Sequence, residues 1–117
     1  MKKITTLLIL FLAVVAVSAQ DITGTWTGEI STAQGGLPFN FNITATVDGY
    51  TSTMDSPDQG AFGIAVDTTI FKESELTIKY AEADLVYVGN VENDTTMTGT
   101  LNQYGNSLTL NMKKKKE

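Results

Sequence analysis

From residue 22 onward, hydrophobic and polar positions alternate with a period of two, which sends successive side chains to opposite faces of an extended strand. Ile22, Gly24, Trp26, Gly28 and Ile30 share one face of the first run, with Thr23, Thr25, Thr27 and Glu29 on the other. After a Gln34-Gly35-Gly36 turn, Leu37, Phe39, Phe41, Ile43, Ala45 and Val47 form a second apolar stripe, opposite Asn40, Asn42, Thr44 and Thr46. Asp48-Gly49 fits a two-residue type I′ turn. Val47 is then expected to face Tyr50, and Tyr50, Ser52 and Met54 to continue the inward face. Further strands are expected at 63–67 and 68–71 (or one bent strand), 76–81, 85–91, 96–101 and 107–112. Turns at 72–75, 92–94 and 104–106 separate them. The pattern leaves open whether Leu85 and Tyr87, or Val86 and Val88, point inward.

About eight short strands joined by hairpin-length turns predict an all-β fold, a small antiparallel up-and-down β-barrel. Closure would remove the edges that a Thr- and Val-rich chain otherwise exposes to aggregation. Glycines 24, 28, 89 and 99, inside strands, suit bends at barrel corners.

The first nineteen residues follow another pattern. Met1-Lys2-Lys3, an apolar stretch over 7–17 and the small residues Val17-Ser18-Ala19 read as a signal peptide cleaved after Ala19. The expected layout is a signal peptide at 1–19, a barrel domain at 20–112 and a basic tail at 113–117. The apolar stretch falls short of the roughly 20 residues a membrane span needs, so export to the periplasm or medium is expected, with no stable membrane anchor.

Composition narrows the chemistry. The chain has no Cys and no His, and it also lacks Arg. A Ser-His-Asp or Cys-His relay and an ordinary zinc site are thereby excluded. Residues 20–112 hold two Lys against twelve acids, a net charge of −10, and the tail adds Lys113, Lys114, Lys115 and Lys116. A body that acidic repels nucleic acid, which is not an expected partner. No inward-facing pair of acids appears in the strand registers, as a glycosidase would require. The spacing of Asp55, Asp58 and Asp67 matches no EF-hand loop. No enzyme activity, cofactor or metal is expected.

Two sets of residues remain as candidates. Trp26, Phe41, Tyr50, Met54, Tyr80 and Tyr87, together with Phe39 and Phe62, form an inward set that either lines a pocket for a small apolar ligand or fills the barrel. In the loop of Asp55, Ser56, Asp58 and Gln59, either Ser56 and Asp58 satisfy the backbone N–H groups of their own proline-fixed turn, or the loop, with Gln103, hydrogen-bonds a ligand or partner protein at the barrel mouth.

Gly24-Thr25-Trp26 resembles the Gly-x-Trp that opens lipocalin-type barrels, where the Trp plugs the closed end. The Arg that stacks on that Trp in lipocalins has no counterpart here. A longer resemblance covers essentially all of 20–112. Gly24 to Gly28 (Gly-x-Trp-x-Gly), residues 54–61 (Met-Asp-Ser-Pro-Asp-Gln-Gly-Ala), Tyr87-Val88-Gly89 and the run from Gly99 to Leu110 resemble the accessory β-domain that precedes many secreted bacterial serine α/β-hydrolases. No Gly-x-Ser-x-Gly elbow follows here, so the resemblance implies the non-catalytic part alone. It implies an exported binding or interaction module. The alternative is a lipocalin-like carrier of a small apolar ligand.

Overall fold

The computed structural model describes residues 21–33 and 35–116, so the expected signal peptide and its cleavage site lie outside it. The strands are β1 (Gly24–Thr32), β2 (Gly35–Ala45), β3 (Tyr50–Ser56), β4 (Ala61–Ala65), β5 (Thr68–Lys72), β6 (Glu75–Tyr80), β7 (Leu85–Asn93), β8 (Thr96–Gln103), β9 (Asn106–Thr109) and β10 (Met112–Lys114). All pair antiparallel, in the order β4-β3-β2-β1-β10-β8-β7-β6-β5, with β9 also beside β8. The fold is the expected all-β, barrel-like curled sheet.

Ten strands against about eight expected has a simple origin. β4 and β5 are two halves of one path bent at Val66-Asp67, and β9 and β10 are two halves of another bent at Leu110-Asn111. At the first bend, Val66 N donates to Ser52 O (3.2 Å) and Asp67 N to Lys79 O (2.9 Å), so consecutive residues hydrogen-bond to opposite ends of the sheet. Ser52 Oγ and Thr69 Oγ1, 2.8 Å apart, add a side-chain link. β4 pairs only with β3, however, and β9 only with β8. The sheet is drawn together at one end and left open at the other.

The interior is filled through its middle. Trp26, Phe41, Leu76, Ile78, Tyr87, Met97, Leu101, Leu110 and Met112 are all buried. Trp26 Nε1–H donates to Ile22 O (2.9 Å), and Tyr87 Oη–H donates to Leu110 O (2.8 Å), so neither large ring leaves a polar atom stranded. The inward register of β7 is therefore Leu85, Tyr87, Gly89 and Val91. Gly89 and Gly99 face each other across β7 and β8, and the Tyr87 ring lies over both. These glycines serve close approach rather than a corner bend.

Four expectations change. The β2–β3 turn is centred on Val47-Asp48: Thr46 N donates to Gly49 O (2.8 Å) and Ala45 pairs with Tyr50. Val47 is fully exposed as a result, while a slip of one residue on each strand leaves Ser52 and Met54 facing in. Phe62 points to solvent and Ile64 takes the inward place, because the register shifts between Met54 and Ser56. A short 3-10 turn at Ala81–Ala83, unforeseen in the strand pattern, joins β6 to β7. Finally, the basic tail does not begin at 113. Lys113 and Lys114 belong to β10, and Lys115 N donates to Thr25 O (2.7 Å), because β1 needs a partner over Trp26 to Gly28.

The β5–β6 hairpin sets Glu73 and Ser74 at φ 53° and 70°, between the paired Lys72 and Glu75. At positive φ both positions favour Gly, which has no Cβ, or Asn, whose amide bonds locally, over Glu and Ser. Replacing Glu73→Asn together with Ser74→Gly is expected to stabilise the domain by about 1 kcal/mol and raise its Tm by several degrees. A thermal melt that falls or stays level would show that the turn carries no such strain.

Candidate functional site

The open end of the sheet holds a pocket of about 260 Å³. Its walls come from alternate inward positions: Ile30 on β1, Leu37 and Phe39 on β2, Met54 and Ser56 on β3, Ile64 on β4, Tyr80 on β6, Leu85 on β7 and Leu101 and Gln103 on β8. The 3-10 turn contributes Ala83, and the loop after β3 contributes Gln59. The pocket exists because β4 pairs with β3 but not with β6, so the two sheet ends part where Ala61, Ile64, Tyr80 and Ala83 meet. An apolar cavity of about 150 Å³ is enough for a benzene ring. This one is larger and carries four neutral hydrogen-bonding side chains, Ser56, Gln59, Tyr80 and Gln103.

Those side chains are partly spent. Ser56 Oγ donates to Gln59 Oε1 (2.6 Å), and Gln103 Nε2 donates to Ala83 O (3.1 Å). Pro57–Gln59 forms a 3-10 turn closed by Gly60 N donating to Pro57 O (3.0 Å), with Gly60 at φ 70°. The turn is thus closed by one backbone hydrogen bond, and among the described residues the expected Asx-type bonds from Ser56 and Asp58 to its backbone N–H groups do not form. Ser56 is buried, and Asp58 is exposed beside Gln59. Tyr80 keeps its proton at neutral pH: desolvation and the nearby Glu82 and Asp67 push its phenol above the ordinary value.

The structure divides the candidate residues. Met54, Tyr80, Ser56, Gln59 and Gln103 come together at the pocket. Trp26, Phe41 and Tyr87 are core, with the Phe41 and Tyr87 rings 5.1 Å apart, and burial pushes the Tyr87 phenol well up. Tyr50 lies at the far end of β3 and packs edge-on against Phe71 at 6.1 Å. Asp55 sits on the outer face. Its carboxylate accepts from Gly63 N (2.8 Å), Asn42 Nδ2 (3.1 Å) and Asn40 Nδ2 (3.4 Å). Burial pushes its pKa up, but these three donors outweigh that and hold it below the ordinary Asp value. A depressed folded-state pKa stabilises the fold above the unfolded Asp value, and that contribution disappears as pH falls through the folded value. Wild type is accordingly expected to lose more stability than Asp55→Asn between neutral pH and about pH 3. Parallel denaturant melts across that range check this, and parallel curves would remove Asp55 from the acid sensitivity.

Sequence reasoning missed Ile30, Leu37, Ile64, Ala83, Leu85 and Leu101 as pocket walls. Their alternation marked most of them as inward-facing, but nothing local showed that the strands part above them. A broader hollow of about 600 Å³ lies on the outer face among Thr27, Glu29, Asn40, Thr96, Asn111 and Lys113. It also touches Gly28, Pro38 and Met112 and lies open across paired strands, whereas the mouth pocket is the more enclosed of the two. Among the described residues, no helix is long and apolar enough to cross a membrane. No family model, characterised protein or solved structure matches this chain.

Proposed function

We propose that the protein is an exported, non-catalytic binding module that takes a small apolar group at the open end of its barrel. The observation that carries this reading is the pocket of about 260 Å³ between β4 and β6, apolar in its walls and edged by Ser56, Gln59 and Gln103. Such a concave, mostly apolar site with a few convergent polar groups is the usual form of a small-molecule site. The filled interior favours a shallow site at the mouth over the deep calyx of a lipocalin-like carrier. The likeness of the chain to the accessory β-domain of secreted hydrolases fits the same role, with the ligand either free or presented by a partner protein that seats beside Asp58 and Gln59.

Filling the pocket tests the reading. In wild type, titration with ring-sized apolar probes such as toluene should shift the methyl resonances of Ile64, Leu85 and Leu101 saturably. In Ala83→Phe, whose new ring occupies the pocket, those shifts should be lost while the melting temperature changes little. Shifts confined to the outer face, or equal in both proteins, would overturn it.

A further inference from the structure

The polar atoms left over at the mouth specify the ligand further, given that the mouth is the binding site. Gln59 spends its Oε1 on Ser56 and keeps the two N–H donors of its amide. Gln103 spends an N–H on Ala83 O and keeps its Oε1 acceptor. These groups stand on different walls, one after β3 and one at the end of β8. No Lys and no acid among the described residues lines the pocket, and its remaining walls are apolar apart from the Tyr80 phenol, whose O–H is engaged by Glu82. Asp58, Glu82 and Asp84, the chain neighbours of lining residues Gln59 and Ala83, are all exposed.

We infer that the mouth binds an uncharged ligand in which a small ring or short chain carries a neutral amide, whose C=O accepts from Gln59 and whose N–H donates to Gln103. A carboxylate would enter a pocket without a cationic partner, on a body of net charge −10, and lose its hydration uncompensated. An ammonium is drawn toward the exposed acids at the rim, but salt screens that attraction and no carboxylate inside the pocket replaces its water. An amide presents one acceptor and one donor in divergent directions. A lone hydroxyl puts both on a single atom and serves the two walls less well.

A matched set of ring-sized probes tests this: benzamide, benzoate, benzylammonium and toluene at pH 7 and physiological salt. Affinities are read from the methyl resonances of Ile64, Leu85 and Leu101. Benzamide is expected to bind about tenfold or more tighter than either charged probe, and tighter than toluene. Gln59→Met, which keeps the side chain's length and removes its amide, should bring benzamide down to the affinity that toluene shows for the same variant. Should toluene bind but benzamide do no better, or should either charged probe match benzamide, the amide inference is overturned and the pocket stands. Should none of the four move these methyls, the reading of the mouth as a binding site fails, and the inference fails with it.

Discussion

Trp26→Ala is expected to cost about 3–5 kcal/mol, the range for removing a large aromatic from a packed core. Against a total of about 5–15 kcal/mol for a domain, that is a large share. At about 4–8 °C per kcal/mol, Tm should fall by roughly 12 °C or more, or the cooperative transition should vanish. The reason lies in what the indole joins. It is fully buried, it pairs with Phe41 on β2 and Lys114 on β10, and its N–H holds the carbonyl of Ile22. Removing it opens a cavity beneath three strands and frees the segment before β1. Trp26→Phe keeps most of the packing but leaves Ile22 O without its donor, so a smaller loss is expected. A Trp26→Ala protein melting within a few degrees of wild type would show that the seam between β1 and β10 does not depend on this ring.

The second large effect concerns a glycine pair. A Cβ added at Gly99 would overlap Tyr87 Oη and approach Val88 O to 2.7 Å. Gly99→Ala should therefore destabilise by about 1–3 kcal/mol through overpacking, and Gly99→Val by more. The obstacle is mainly the tyrosine, and Tyr87 is held in place by its hydrogen bond to Leu110 O. Tyr87→Leu alone should also destabilise, since it removes that bond and the contact with Phe41. In the Tyr87→Leu background, however, Gly99→Ala should cost much less than in wild type, because the space above the glycine has been vacated. A double-mutant cycle reads the difference directly. Strict additivity would mean that Val88 O, and not the ring, sets the limit.

The two cases differ in how far the chain itself foretold them. Trp26 lies on an alternating face that is legible without a structure, and its burial follows from that face alone. The place of Tyr87 was half legible. Alternation left two registers open across 85–88, and the choice fell to Leu85 and Tyr87 because only glycines at 89 and 99 leave room for the ring. Sequence showed that the glycines were unusual for strand interiors, yet their purpose depends on a ring that crosses from another residue. Likewise the Ser56 to Gly60 loop was recognisable from its residue types, and its closure by Ser56, Gln59 and Gly60 follows from short-range geometry.

Strand-by-strand alternation by itself determined the all-β class, the antiparallel hairpin order, the inward faces of most strands and the acidic, His-free and Cys-free chemistry. These are properties of neighbours along the chain, separated by two residues or by one turn. Tertiary structure alone decided the break at Leu110-Asn111, the use of Lys113 and Lys114 as sheet, and the sorting of the aromatic set into core and pocket. It also chose two strands over one bent strand around Val66-Asp67. Each of those depends on where the two ends of a curled sheet meet. That meeting is set by the summed twist of all the strands and by ring-sized contacts between residues far apart in sequence, which no local pattern records.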